Sequence, residues 1–107
     1  MDIKTNDPIR RDAALAGLYE VYDPEIGLNV VDLGLIYSIN FHEERKEIEV
    51  IMTLTTQFCP MGETITYNVT QAVGIAFSDY KVNVTLTFDP AWSPEFLSPE
   101  GQAFLNG

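Results

Sequence analysis

The sequence predicts a two-layer α+β domain in which helices pack on one face of a small three-stranded mixed sheet. Three segments alternate apolar and polar residues and two have apolar residues at helical spacing, in the order helix, strand, strand, helix, strand. The first two strands read as a hairpin, and a right-handed crossover makes the third strand parallel to the second. Which hairpin strand the third one pairs with is left open. At 107 residues the chain, 1–107, is expected to be a single domain.

The first half of the chain supplies the first helix and the hairpin. Asp7 is the expected N-cap and Pro8 the first helical residue. The helix should end before Asp23-Pro24 and carry an apolar stripe of Leu15, Leu18, Val21 and Tyr22. Residues 23–31 are predicted as a loop. The first strand should place four residues on one face, Leu35, Tyr37, Ile39 and Phe41, and the second strand another four, Ile48, Val50, Met52 and Leu54.

The second half supplies the second helix, the third strand and a tail. The core stripe of the second helix is predicted as Met61, Ile65, Val69, Ala72, Val73 and Ala76. The third strand alternates from Tyr80 to Phe88. The tail after Phe88 is rich in turn residues, and Ser98-Pro99 is expected to cap a short last helix.

Composition excludes several classes of function. A formal charge of −10 disfavours nucleic acid and anionic lipid, because both are bound through Lys and Arg. One cysteine allows no intramolecular disulfide, and no apolar stretch approaches the ~20 residues that span a bilayer. The N-terminus shows no apolar signal region, so the cytoplasm is the expected compartment.

Cys59, the only cysteine, lies where the second strand pattern stops and the second helix pattern starts. Pro60 fits the first turn of that helix, which would put Cys59 at or beside the cap. There the helix dipole favours a thiolate. Unpaired cysteine is also among the most buried residue types, so a structural role is an equal alternative on the residues alone.

A lone thiolate at this position has few roles open to it. The only histidine, His42, is expected at the opposite end of the hairpin, about 25 Å away at ~3.3 Å per residue, which rules out a Cys–His dyad within one chain. Zinc and iron–sulfur sites usually need three or four protein ligands. Cys59 can therefore supply one ligand, and the rest must come from a second subunit, a client or a small thiol.

Two further segments are candidates for the same site. Asp32 precedes the first strand, and antiparallel pairing brings it to the sheet end from which the Cys59 segment leaves. Its alternative role, preferred on local grounds, is to cap a loop through backbone N–H groups. Trp92 follows the third strand and should border the same end, either as a partner-binding residue or as a packing residue that closes the core.

Four segments in order resemble the metal–sulfur cluster assembly factor family, which includes SufT-type maturation factors and PaaD-like proteins. They are Asp23-Pro-Glu-Ile, Val31-Asp-Leu-Gly-Leu-Ile-Tyr37, Met52-Thr-Leu-Thr-Thr with Cys59-Pro60, and Phe88-Asp-Pro-Ala-Trp92. The resemblance implies an α+β fold and a non-catalytic role in delivering iron–sulfur clusters to apoproteins. It also implies that Cys59 is the reactive thiol and transient metal ligand, supported by Glu25, Asp32, Thr53, Thr55 and Thr56.

The same resemblance implies no permanently bound cofactor, only a transient iron–sulfur cluster shared with a partner or second subunit. The expected partners are apoprotein clients, other assembly proteins and a second copy in a homodimer. The sequence departs from the family pattern at Gly27, Gln57-Phe58 and Ala91, where the family usually has Pro, Pro-Gly and Pro. PaaD-like proteins that serve a ring-oxygenase system tend to carry an extra cysteine-bearing tail. This sequence shows none, so the general maturation branch is expected. The alternative function is a protein–protein adaptor, including an oxygenase-associated PaaD-like role, with a structural cysteine.

Overall fold

The computed structural model describes residues 3–58 and 60–106. The helices are α1 (Pro8–Leu18), α2 (Gly62–Ala76) and α3 (Pro99–Asn106), with a short 3-10 turn at Pro94–Phe96. The strands are β1 (Lys4–Thr5), β2 (Tyr22–Asp23), β3 (Leu28–Asn29), β4 (Ile36–His42), β5 (Glu47–Met52) and β6 (Lys81–Leu86). This arrangement confirms the α+β fold class that the sequence predicts.

The main sheet has four strands in the order β1-β4-β5-β6. The β4–β5 hairpin is antiparallel, and β6 lies parallel to β5, as predicted. β6 thus adjoins β5, the second strand of the hairpin, a choice that the sequence left open. The predicted three-stranded sheet is wrong by one strand, because β1 pairs in parallel with the free side of β4. Two residues are too few to show a period-2 pattern.

Asn6 anchors this added strand. Its side-chain amide donates to the Phe41 carbonyl at 2.7 Å, and its side-chain oxygen accepts from the Phe41 N–H at 2.9 Å. One side chain therefore continues the ladder beyond the two residues of β1. Helix α1 follows at once, with Asp7 accepting from the Arg10 N–H and Pro8 as its first residue, as predicted.

Replacing Asn6 with alanine should lower the free energy of unfolding by about 1–2 kcal/mol, because two hydrogen bonds to Phe41 are lost. Urea unfolding followed by circular dichroism measures the change. Asn68→Ala, at an exposed position of α2, is the matched control and should change stability by less than about 0.5 kcal/mol. Equal effects of the two substitutions would show that Asn6 does not anchor the edge.

A β-bulge alters the face pattern predicted for β4. The register shifts between Ile36 and Ser38, so Ile36 lies opposite Met52 while Ile39 lies opposite Val50. The extra residue reverses the alternation, and Tyr37 leaves the face that holds Ile39 and Phe41. The prediction that Tyr37 shares this face is therefore wrong.

Helix α1 is shorter than its apolar stripe suggests. It ends at Leu18, so Val21 and Tyr22 are not helical as predicted. The predicted loop at 23–31 is also partly wrong, because β2 and β3 form a two-stranded antiparallel ribbon. Both elements of the ribbon are two residues long and fall below what a sequence period reveals.

The core lies between the sheet and the two long helices. Its fully or almost fully buried side chains come from α1 and α2 (Ala14, Leu18, Ile65, Val69, Val73), from β4 and β5 (Ile36, Ile39, Phe41, Ile48, Val50, Met52) and from the segments beside these strands (Val30, Leu33, Leu35, Leu54). The stripe predicted for α2 is thus largely confirmed, but Ala76 is exposed. The tail folds back as predicted, with the Ser98 hydroxyl accepting from the Gly101 N–H at the start of α3.

Candidate functional site

The site is built at one end of the sheet, where three segments leave their strands together. The Thr53 N–H donates to the Leu35 carbonyl at 2.8 Å, and the Thr87 N–H donates to the Met52 carbonyl at 2.9 Å. The segment before β4, the segment after β5 and the segment after β6 are therefore hydrogen-bonded neighbours. His42 pairs with Glu47 at the other end of the hairpin. Strand direction had predicted this placement from the sequence.

The segment after β5 becomes steadily more exposed along the chain. Thr53 is fully buried, Thr55 is half-buried, and Thr56 is exposed, with its hydroxyl accepting from the Phe58 N–H at 3.2 Å. The Phe58 side chain is 85% exposed. Cys59 lies outside the described residues, and Pro60 on its other side is exposed. The three threonines therefore occupy different environments, and of them only Thr56 is on the surface.

Helix α2 begins later than the sequence predicts. Met61 is the N-cap, and the Ile65 N–H donates to its carbonyl at 3.0 Å. Pro60 therefore precedes the helix, and the prediction that it lies in the first turn is wrong. Among the described residues, no side chain forms a hydrogen bond that caps this helix. Gly62 packs so closely on Leu54 that an added Cβ would lie 2.9 Å from Leu54 Cδ1, which fixes the start of the helix against the end of the β5 segment.

Asp32 is half-buried and joins the loop before β4 to the tail. The Asn29 amide donates to Asp32 Oδ2 at 2.7 Å, and the Ser98 hydroxyl donates to Oδ1 at 2.8 Å. The Asp32 N–H in turn donates to Asn29 Oδ1 at 2.8 Å, and the Ser98 N–H donates to the Asp32 carbonyl at 2.9 Å. Both carboxylate oxygens are thus engaged within the chain, as in the structural alternative, but their donors are the side chains of Asn29 and Ser98 and not the predicted backbone N–H groups.

Glu25 lies in the turn of the β2–β3 ribbon. Its backbone N–H donates to Asp23 Oδ1 at 2.9 Å, and its side chain is exposed. Within residues 3–58 and 60–106, no hydrogen bond joins Glu25 to the segment Thr53–Phe58. Its supporting role stays a prediction.

Trp92 is half-buried at the same sheet end, and its indole N–H donates inward to the Leu33 carbonyl at 2.6 Å. The ring also packs against the core. Its polar group is therefore used within the chain, as expected of a packing residue that closes the core. Its partner-binding role stays a prediction.

Tyr37 and Gly34 also hold the tail against the sheet end, and the sequence did not predict this role for either residue. The Tyr37 hydroxyl donates to the Pro90 carbonyl at 2.7 Å, and its ring meets Phe96 edge to face at 6.0 Å. Burial raises the pKa of Tyr37. Gly34 has φ +77°, and the backbone of Phe96 lies directly over it. The one sequence signal for this contact is the Leu33-Gly34 pair, a turn dipeptide just before the strand.

Across residues 3–58 and 60–106, no three His, Cys, Asp or Glu side chains are grouped so that they could hold a metal ion. Among the helices within those same ranges, none is long and apolar enough to cross a membrane.

The family model for the iron–sulfur cluster assembly protein family matches residues 11–86. The chain belongs to this family. The match spans β4, β5, α2 and β6 together with the Cys59 segment, and it stops before the tail that holds Trp92. The family resemblance drawn from the four sequence segments is therefore confirmed.

Similar proteins agree with this membership. A protein of Porphyromonas gingivalis named Fe-S protein maturation auxiliary factor is 40% identical over 88 residues, which are 82% of this chain and 83% of that protein. The Fe-S protein maturation auxiliary factor SufT of Staphylococcus aureus is 35% identical over 78 residues, 73% of this chain and 88% of that protein. A solved domain of unknown function, DUF59, from Bacillus anthracis superposes with a TM-score of 0.85 at 28% identity, covering 92% of this chain and 93% of that one.

Proposed function

We propose that this protein is an auxiliary maturation factor that helps to deliver iron–sulfur clusters to apoproteins, with the cluster as cargo. Membership of the iron–sulfur cluster assembly protein family carries this proposal. The names of the Porphyromonas and Staphylococcus relatives support it, because both are maturation auxiliary factors and most of their length aligns with this chain. Apoprotein clients and other assembly proteins are the partners that such a role requires.

Cys59 is the residue that we propose to engage the cargo. A cluster is normally held by four cysteines or their substitutes, and this chain has one cysteine. The donor, the client or a second assembly protein must therefore complete the ligand set, which makes any binding here transient. The exposure of Phe58 and Pro60, on either side of Cys59, supports access for a large partner.

The proposed role is non-catalytic. Thiol catalysis commonly uses a base near the nucleophile, and the only histidine lies at the far end of the hairpin. From Ile36 to His42 the strand covers about 20 Å at ~3.3 Å per residue. A ligand-exchange role needs no such base, because the thiolate acts directly on iron.

Cys59→Ser is expected to reduce cluster transfer to the level seen without the protein, because a hydroxyl is a poor ligand for iron. The test is anaerobic reconstitution with iron and sulfide, followed by transfer to an apo-ferredoxin that is read by absorbance. Native mass spectrometry of the same samples reports the bound cluster.

The matched control moves the thiol to an exposed position elsewhere in the chain, in the double variant Cys59→Ser/Ser78→Cys. Ser78 is exposed just after α2. We expect no recovery of transfer, because the thiol then lacks the surroundings of the sheet end. Full transfer by Cys59→Ser would contradict the cysteine-centred role, and retained client binding by that variant would favour the adaptor function.

A further inference from the structure

Strand β6 forms an open edge of the main sheet. In the described part of the chain it pairs with β5 alone, and Lys81, Asn83 and Thr85 are exposed along it. Lys81 and Thr87 direct their N–H groups toward the hairpin, at 2.8 Å from the Lys46 carbonyl and 2.9 Å from the Met52 carbonyl. Backbone direction alternates along a strand, so the backbone N–H and C=O groups at the alternate positions 82, 84 and 86 point away from the sheet.

This edge lacks the devices that usually protect a free strand. Such edges are short, charged, bulged or interrupted by proline, because an open ladder of backbone groups recruits another strand. The opposite edge, β1, is only two residues long. β6 has six residues, no proline, no bulge and a single charge at its first position.

β6 and the part of α2 beside it also carry little charge, although Glu47 and Glu49 lie on the neighbouring strand β5. Residues 64–88 contain one acidic residue, Asp79, and one basic residue, Lys81, so the rest of the chain carries the whole formal charge of −10. Two copies of so acidic a chain repel one another when they approach through most faces. Along the edge formed by β6 and the C-terminal half of α2, a second copy can therefore approach with less repulsion than at the acidic parts of the surface.

We propose that two copies of this chain pair through β6 in antiparallel fashion, with a two-fold axis at Val84. Because the outward backbone groups belong to positions 82, 84 and 86, this register makes hydrogen-bonded pairs of Val84 with the partner's Val84 and of Val82 with the partner's Leu86. The two-fold axis adds the pair of Leu86 with the partner's Val82. With two hydrogen bonds in each pair, the three pairs give about six main-chain hydrogen bonds. On the other face Asn83 lies opposite the partner's Thr85, so no like charges oppose each other.

The side chains on the α2 side of the edge fit the same register. An open groove beside β6 is lined by Val82, Gly74, Ile75 and neighbouring polar residues. Ile75 is 81% exposed and Leu86 is 40% exposed, although both are large and apolar. In the paired sheet the partner's Leu86 lies opposite Val82, at this groove. The two exposed apolar residues would then be covered by the same contact, once in each copy.

This interface keeps the two candidate sites apart. Thr53 follows the end of β5 that adjoins Leu86, and antiparallel pairing turns the partner's corresponding end the other way. The two Thr53 residues would thus lie at opposite ends of a continuous sheet, with three strand-to-strand steps between their own strands. Each copy would work with its own partner, so the dimer extends beyond the proposed function and does not depend on it.

Two variants that differ only in the charge at position 85 test the register. Both carry Asn83→Lys, which places a cation near Glu47 and Glu49 of the neighbouring strand and so preserves the fold. Asn83→Lys/Thr85→Lys sets like charges opposite each other twice in the dimer. Asn83→Lys/Thr85→Glu sets opposite charges there twice.

Sedimentation equilibrium over a wide range of protein concentration measures the association. We expect a dimer for the wild-type protein and the Lys/Glu variant, and a dissociation constant at least about tenfold weaker for the Lys/Lys variant. If association were non-specific and limited only by net charge, the Lys/Lys variant would associate more tightly than the Lys/Glu variant, because it is the less acidic of the two. For the wild-type protein, raising the salt from about 0.05 to 0.5 M should tighten the dimer by screening repulsion between the two acidic chains.

A wild-type protein that stays monomeric up to millimolar concentration would overturn the proposal. Equal association by the Lys/Lys and Lys/Glu variants would place the interface elsewhere and overturn it as well. Val84→Pro gives an independent check, since it removes one outward N–H and leaves the ladder to β5 intact. It should weaken the dimer while the circular dichroism spectrum of the monomer stays unchanged, and an unaltered dissociation constant would contradict the register.

Discussion

Replacing Gly34 with alanine is expected to lower the free energy of unfolding by about 3 kcal/mol and to displace the C-terminal tail. Gly34 has φ +77°, a conformation that costs a residue with a Cβ about 1–2 kcal/mol. The added methyl would also lie 2.7 Å from the carbonyl carbon and the Cβ of Phe96, too close for either to stay in place. Because backbone cannot move aside as a flexible side chain can, the tail must lift away from the sheet end.

Trp92 makes this result measurable, since it is the only tryptophan and donates to the Leu33 carbonyl beside Gly34. Urea unfolding gives the stability, and a red shift of Trp92 emission in the absence of urea reports the displaced tail. Gly74→Ala is the matched control. Its Cβ would meet nothing within 4 Å, and it lies inside α2, so alanine should stabilise the protein by about 0.5–1 kcal/mol.

A native-like emission spectrum and unchanged stability in Gly34→Ala would contradict this account of how the tail is held. Loss of stability with native-like emission would separate the two effects, and would assign the cost to the backbone conformation of residue 34 alone.

The elements that could be predicted are those long enough to show a period. Helix α2 and strand β5 have core residues at the predicted spacing, and the right-handed crossover correctly sets β6 parallel to β5. The ribbon of β2 and β3 and the edge strand β1 have two residues each, too few for any period. The bulge in β4 is hard to see because Tyr37 to Phe41 alternates in sequence; the adjacent apolar residues Leu35 and Ile36 are its only trace, and pairing with β5 reveals the extra residue.

The candidate site, too, has a part that the sequence predicts and a part that it does not. Strand direction brings the loop before β4 and the segment after β5 to one sheet end, which the sequence predicts. The tail contacts are different, because Ser98 and Asp32 are 66 residues apart and Trp92 and Leu33 are 59 apart. No local pattern encodes such pairs. The sequence therefore indicates where the segments meet and allows a structural role for Asp32 and Trp92, but it does not reveal their partners Asn29, Ser98 and Leu33.

Replacing Asp32 with alanine should lower the free energy of unfolding by about 2–3 kcal/mol and reduce cluster transfer by releasing the tail. The substitution removes the acceptors for Ser98 and for Asn29, and Asn29 is only 7% exposed, so its amide is left buried without that partner. An unsatisfied buried donor costs about 1–3 kcal/mol. Urea unfolding, Trp92 emission and transfer to apo-ferredoxin are measured on the same preparations.

Ser98→Ala distinguishes a tail anchor from a residue that acts on the cargo. It removes the same hydrogen bond from the other side, together with the one that the Ser98 hydroxyl accepts from the Gly101 N–H, and leaves the Asp32 carboxylate in place. If Asp32 works through the tail, both variants lose transfer by similar factors, and the double variant costs less stability than the two single effects added together. If transfer is lost in Asp32→Ala while Ser98→Ala transfers normally, the carboxylate acts directly at the site. We expect the first outcome, because both oxygens of Asp32 already accept hydrogen bonds within the chain.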